Sequence, residues 1–201
     1  MNLIVDIGNT NLKYFVFSND NSVFSETINI SVAEKTNEKL WLSVQQKFGI
    51  KKAVISSVVG YNNIPVNEIS NTFEKVIHLG SNTKIPVTNL YKTPETLGQD
   101  RIAGVVAANF LYPGKNIMVI DAGTAITYDI ITCKAEYLGG NISPGLEMRF
   151  KALNSFTKNL PLLSKKDTEK FIGNSTDEAI ILGVQNGLIF EIQSYIDEFI
   201  K

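Results

Sequence analysis

LIVDIGNTNLKYFVF (residues 3–17) and IMVIDAGTAITYDII (117–131) follow one design. Each has an apolar strand, then Asp-x-Gly with Thr close behind, then a second strand-like run. Asp6 aligns with Asp121 and Gly8 with Gly123, a spacing of 115 residues. That is far too long for a solenoid repeat and right for two related domains. A plain β-hairpin explains part of the first copy: Gly8 would supply positive φ, and Asn9 tolerates it. It does not explain Asp6, which continues a strand of buried appearance. A carboxylate there is costly unless it is paired or bound to a cation.

A pair of such turns has a physical use. Tight turns present backbone N–H groups, and small residues let a polyanion approach the backbone. Two turns facing each other across a cleft can hold a nucleotide's phosphates from both sides. The carboxylates would repel bare phosphate, so they imply cations between protein and ligand. No Gly-x-x-x-x-Gly-Lys-Ser/Thr occurs, and no Gly-x-Gly-x-x-Gly follows a strand. A nucleotide enzyme built on this chain would use paired hairpins instead.

Composition narrows the class. The chain has 201 residues, 44% of them apolar, enough for one large domain or two small ones. A net charge of −1 argues against a nucleic-acid surface or a polybasic membrane patch. Cys133 is the single cysteine, so no intramolecular disulfide and no cysteine metal cluster forms. It reads as an inert strand-end residue. His78, the single histidine, closes off His-based triads and reads as structural. With no basic segment ahead of a long apolar one, and no run near 18 apolar residues, the expectation is a cytoplasmic protein away from membranes.

Between the hairpins, Val23–Ile30 reads as a third strand. SVAEKTNEKLWLSVQQKFG (31–49) reads as one amphipathic helix ended by Gly49, with Trp41 on a core face. KKAVISSVVG (51–60) reads as a buried strand, 67–73 as a helix and KVIHL (75–79) as a strand. A polar stretch (80–98) leads to a helix from Asp100 to Leu111, broken by Pro113-Gly114. The boundary placed there gives lobes 1–112 and 113–201. The second lobe continues with a strand at 135–141, a helix from Gly145 to Phe156, and a last helix opened by the capping box Ser175-Thr176-Asp177-Glu178. Ile181, Val184, Leu188, Ile192, Tyr195 and Phe199 make one stripe of it. Gly183 and Gly187 weaken it, which predicts close packing against another helix, such as one from a second subunit. Strands before helices, twice over, predict two α/β lobes with mixed sheets.

TLGQDRIAGVVAANF (96–110) puts Gly98, Asp100 and Arg101 where a loop meets a helix N-terminus. An acid in the first turn suits the dipole, so Asp100 has a purely structural reading. Arg101 fits that reading poorly; a guanidinium there is better used to grip a carboxylate. Asp100 beside it could accept a proton from a hydroxyl. Together they point to phosphoryl transfer to an alcohol that also carries a negative group. Gly139-Gly140 and Ser143-Pro144-Gly145 read either as a tight strand-to-helix turn or as a ligand-facing loop. Thr176 reads equally as a first-turn residue.

VDIGNTNLK, LGQDRIAGVVAA, IDAGTAITYDI, YLGGNISPGL and GNSTDEAIILGVQNG, in this order and spacing, resemble the type III pantothenate kinases of the acetate and sugar kinase/actin superfamily. The resemblance implies two actin-like (ribonuclease H-like) lobes with a cleft between them. It implies ATP-dependent phosphorylation of pantothenate, the first step of coenzyme A synthesis, with Mg²⁺ and an activating monovalent cation, K⁺ or NH₄⁺. Asp6, Ile7, Gly8, Asn9, Thr10, Asn11, Leu12 and Lys13 would form the first ATP-phosphate loop, with Thr124 a further ATP contact. Asp100 would be the base, Tyr91, Gly98, Gln99, Arg101 and Thr176 would contact pantothenate, and Asp121 would bind the monovalent cation. A homodimer is implied as well.

Gln99 stands where the family more often has a small residue. Members usually continue beyond the position of Lys201 with a strand, a Gly-Gly turn and a closing helix near the adenosine, so the second lobe is expected to lack its last elements. The alternative is a non-catalytic regulator of the same fold, like the Bvg accessory factors; retention of Asp100 and both hairpins favours the enzyme.

Overall fold

A period of two settles how Asp6 continues an apolar strand. In β1 (Asn2–Ile7), Leu3, Val5 and Ile7 are fully buried, while Ile4 and Asp6 alternate onto the other face. The computed structural model describes residues 1–33, 38–57 and 66–201. The chain divides into two compact units, Met1–Pro86 with Tyr91–Val106, and Val87–Leu90 with Ala107–Lys201.

The first unit carries a five-stranded mixed sheet. β1 is antiparallel to β2 (Asn11–Ser18), which is antiparallel to β3 (Asn21–Asn29). On its other side β1 runs parallel to β4 (Lys52–Ser57), and β4 parallel to β5 (Lys75–His78), giving the order β3-β2-β1-β4-β5. Leu12, Tyr14 and Val16 of β2 join Ala53 and Ile55 of β4 on the buried face. Against them pack Trp41 and Val44 from α2 (Glu38–Phe48) and Ile69 from α3 (Val66–Thr72); a four-residue α1 (Ile30–Ala33) follows β3. Trp41 is fully buried, as its pattern predicts, edge-on to Tyr14 with ring centroids 5.6 Å apart. Gly49 ends α2 at φ +63°, where its N–H still reaches the Gln45 carbonyl at 2.8 Å.

The second unit repeats the three-strand meander. β7 (Ile117–Ala122), β8 (Ala125–Ile131) and β9 (Glu136–Pro144) are antiparallel in turn, and a two-residue β6 (Thr88–Asn89) runs parallel to β9. The sheet order is β6-β9-β8-β7. Two helices follow, α5 (Leu146–Phe156) and α6 (Thr176–Ile200), with Phe150, Ile180 and Val184 at the centre of their contact. Ser175 caps the helix as its pattern predicts, its Oγ accepting from the Glu178 N–H at 3.3 Å, while the Glu178 side chain reaches one residue further back than a capping box does, to the Asn174 N–H at 3.2 Å. α6 is long and apolar enough to cross a membrane by length and composition. Its mid-helix Glu191, however, is tied to Arg149 and Tyr128 of the same unit.

α4 (Gln99–Leu111) begins in the first unit and ends in the second. Gly114 lies beyond it at φ +72°. Several expectations need correction. Of the helix expected over 31–49, α1 and α2 cover the two ends, and its middle lies outside the described residues, as does the end of the 51–60 strand. The polar stretch at 80–98 contains β6 and a 3-10 helix, Pro94–Thr96. Gly8 does not adopt positive φ. Gly139-Gly140 belongs to β9: Gly139, at φ +107°, sits beside a bulge at Leu138, and a Cβ on Gly140 would strike the Tyr128 carbonyl of β8. The close approach is to the protein's own sheet.

Candidate functional site

The first hairpin turns between β1 and β2. Strand register sets Asp6 directly opposite Lys13 on β2 and Ser56 on β4, all on the face away from the core. The turn is closed by the Gly8 N–H donating to the Asn11 carbonyl at 2.9 Å, and the Ile30 N–H donates to the Thr10 carbonyl at 2.9 Å. Asn9, Thr10 and Lys13 are exposed, whereas Ile7 and Leu12 are fully buried. Those two can offer a ligand only main-chain groups. Ser56 is buried, and its hydroxyl has no hydrogen-bond partner among the described residues.

Gly98, Gln99, Asp100 and Arg101 form the start of α4 in the same unit. Asp100 is exposed; its Oδ1 accepts from the Arg101 N–H at 2.8 Å and lies over Gly98, where a Cβ would collide with it. Gln99 folds back, Nε2 donating to the Leu97 carbonyl at 3.0 Å. Arg101 beside it is not open to solvent. It is only 7% exposed, and its guanidinium lies 5.5 Å from the centroid of the Tyr91 ring. Arg101 and Tyr91 are therefore brought together.

The second hairpin lies in the other unit and is tighter: the Gly123 N–H donates to the Ala125 carbonyl at 3.0 Å, two residues on instead of three. Asp121 and Thr124 are exposed on it. Behind the turn stands Gly145, whose N–H donates to the Thr124 carbonyl at 3.0 Å. A Cβ on Gly145 would collide with the carbonyl oxygens of both Gly123 and Thr124. Ser143-Pro144-Gly145 is thus a strand-to-helix turn that supports the hairpin.

Thr176, the first residue of α6, is exposed and lines an apolar groove of about 900 Å³ between α5 and α6 with Arg149, Leu153, Phe156 and Gly183. Arg149 donates from Nε to the Pro144 carbonyl at 2.8 Å and from Nη2 to Ser143 Oγ at 2.9 Å and Glu191 Oε2 at 2.5 Å. Tyr128 donates to Glu191 Oε1 at 2.9 Å and stacks on Tyr195 at 3.9 Å. Burial of the Glu191 carboxylate favours its neutral form, but hydrogen bonds from Arg149, Ser143 and Tyr128 outweigh it and hold the acid below its ordinary range. Burial and the bond to Glu191 push the Tyr128 phenol up to about 12. Sequence reasoning missed this network. Two signals pointed to it: a cation in the first turns of α5, where the dipole disfavours one, and a single acid inside the apolar run ILGVQNGLIFEIQ.

The expected residues thus divide. Asp6–Lys13, Tyr91 and Gly98–Arg101 belong to one unit; Asp121, Thr124 and Thr176 belong to the other. The donors fit a nucleotide with its cation. Asp6 has a buried hydroxyl beside it, both hairpins offer exposed small residues, and Asp121 presents an exposed carboxylate. No cluster of three His, Cys, Asp or Glu occurs among the described residues.

The sequence signature described as Type III pantothenate kinase matches residues 2–198. The chain belongs to the type III pantothenate kinase family. A family member from Phocaeicola vulgatus is 43% identical over all 201 residues, which span 81% of that relative's length. Two solved structures share the fold. A Sinorhizobium meliloti protein assigned as a 2-dehydro-3-deoxygalactonokinase superposes with a TM-score of 0.55 at 10% identity, covering 94% of this chain and 80% of that one. A conserved Campylobacter jejuni protein assigned to the Baf transcriptional activators gives 0.53 at 22% identity, covering 96% and 78%. The two α/β units with mixed sheets have the fold of the sugar kinases and actin-like ATPases. As a kinase family, it implies ATP and a divalent cation.

Proposed function

We propose that the chain transfers the γ-phosphoryl group of ATP to the hydroxyl of pantothenate, giving 4'-phosphopantothenate in the first step of coenzyme A biosynthesis. The observation that carries this reading is the Asp-x-Gly hairpin built twice, once in each unit of a chain that matches the family from residue 2 to 198. In the first unit the main chain of Gly8 to Asn11 is read as receiving phosphate oxygens, and in the second unit Thr124 is read as a further ATP contact. Asp6 would reach the phosphates through the Mg²⁺ that accompanies ATP, and Asp121 would hold the monovalent cation, K⁺ or NH₄⁺; cations there would supply neutralisation of phosphate charge.

Asp100 accepts the proton of the pantothenate hydroxyl as its oxygen attacks the γ-phosphorus and ADP departs. Its Oδ1 bond to the Arg101 N–H keeps the carboxylate oriented. Arg101 and Tyr91, packed together in the first unit, are read as pantothenate contacts with Gly98 and Gln99, and Thr176 of α6 as a further one. Lys13 supplies positive charge beside Asp6. Gly183 and Gly187, with no heavy atom within 4 Å of an added Cβ, present the close-packing face of a homodimer. The reading places the enzyme in the cytoplasm, with no nucleic-acid or membrane partner. Loss of Asp100 or of a hairpin would favour the regulatory alternative; both are present.

The test is phosphopantothenate formation from ATP, Mg²⁺ and pantothenate, with and without K⁺, by the wild-type chain and Asp100→Asn. A general base contributes about 10²–10⁴-fold, so the variant should lose that much kcat while melting at the wild-type temperature. Wild-type rates in Asp100→Asn would overturn the assignment of the base. Wild-type protein that makes no product and binds neither substrate would overturn the kinase reading.

A further inference from the structure

Arg149 lies in the first turns of α5, where a cation is opposed by the helix dipole, so its place has another reason. Its guanidinium spans three elements. Nε and Nη2 hold the last two residues of β9, Pro144 and Ser143, and Nη2 also binds Glu191 in α6. Glu191 in turn accepts from Tyr128 in β8. The pair is about a fifth to a quarter exposed, which limits solvent screening. The residue after the clamped strand end is Gly145, which packs on the Gly123-Thr124 turn with no room for a Cβ and donates its N–H to Thr124. Any movement of the clamped strand end is therefore passed to that turn.

We propose that Arg149 is a positioning residue for the nucleotide: anchored on Glu191, it fixes the Ser143–Gly145 segment and thereby the Gly123-Thr124 turn. This rests on the reading of Thr124 as an ATP contact. A fork is required, because the acceptors lie on different elements and a single ammonium cannot serve all of them at once. The arginine touches no reacting atom, so its loss should fall on nucleotide affinity and leave pantothenate recognition intact.

The experiment measures binding of a non-hydrolysable ATP analogue with Mg²⁺ by calorimetry, without pantothenate, alongside KM for each substrate. Displacing a binding group by about 1 Å can cost ~10²-fold; a turn that loses support but stays in place should lose about tenfold. Arg149→Met should therefore weaken analogue binding and raise KM for ATP about tenfold, with KM for pantothenate changed less than twofold. Arg149→Lys should resemble Arg149→Met, and adding Glu191→Gln to Arg149→Met should cost nothing further. Should Arg149→Met fail to fold, Ser143→Ala removes one arm of the clamp and must weaken analogue binding at least twofold. Wild-type affinity in Arg149→Met, or in Ser143→Ala where that variant stands in, overturns the proposal. So does full recovery in Arg149→Lys, or a loss confined to pantothenate, which would make Arg149 a direct contact in the α5/α6 groove. If wild-type protein binds no analogue, the nucleotide reading of the turn falls with it; if only the variants match wild type, this inference alone falls.

Discussion

Gly145→Ala isolates the support of the second hairpin from backbone conformation. Gly145 has φ −69° and ψ 172°, which alanine adopts freely, so no torsional strain enters. The new Cβ instead collides with the carbonyl oxygens of Gly123 and Thr124. Carbon and oxygen normally settle at about 3.3–3.6 Å, so the turn or the start of α5 must retreat by roughly 1 Å. Overpacking of this kind costs about 1–3 kcal/mol. In a chain of this size each kcal/mol lowers Tm by about 2–4 °C, so a fall of about 2–12 °C is expected. The retreat also breaks the Gly145 N–H bond to Thr124 and moves a proposed phosphate contact, which should raise KM for ATP about 10–100-fold. Thermal melting followed by steady-state kinetics measures both. Gly80→Ala is the control for adding a methyl group, since nothing lies within 4 Å of its Cβ. A Gly145→Ala protein with wild-type Tm and wild-type KM for ATP would refute the argument.

Two further outcomes follow from other features. Replacing both Gly183 and Gly187 by alanine should raise the stability of the isolated chain by up to about 1 kcal/mol each through helix propensity, yet raise the dimer dissociation constant at least tenfold in sedimentation. Unchanged association would show that this face does not pack a second copy. Tyr128 and Glu191 give opposite pH signatures. The phenol is raised from 10 to about 12, so its stabilisation is complete below pH 10 and is lost as pH rises through about 12; Tyr128→Phe should flatten that alkaline limb in urea titrations. Glu191 is lowered from 4.5, so its stabilisation is present above that pH and is lost as pH falls through the folded value; Glu191→Gln should flatten the acid limb.

What could be read without coordinates was what local patterns carry. The paired hairpins, the buried Trp41, the N-cap at Ser175 and the helix before Pro113 each rest on neighbouring residues, and each stands as expected. β6 escaped because two residues cannot display a period, and its partner Glu136-Tyr137 lies far along the chain. The side of Asp6 was legible in principle, from alternation along β1. The burial of Arg101 was not, because nothing in LGQDR announces the Tyr91 ring that receives it. Arg149 and Glu191 are 42 residues apart, and only folding makes them neighbours. For the candidate site, the residues of each turn were visible; the supports behind them, Gly145 above all, were not.

β7 is bonded on one side only among the described residues, to β8, so its other side is an open row of main-chain donors and acceptors. Ile117, Met118, Val119 and Ile120 carry no charge, proline or bulge to discourage a newcomer until Asp121. Such a margin is adhesive: it can lengthen the sheet with any strand of compatible register, or seed clumping when concentrated chains meet edge to edge. Handling of this protein in solution should therefore be sensitive to that border as well as to its near-neutral charge.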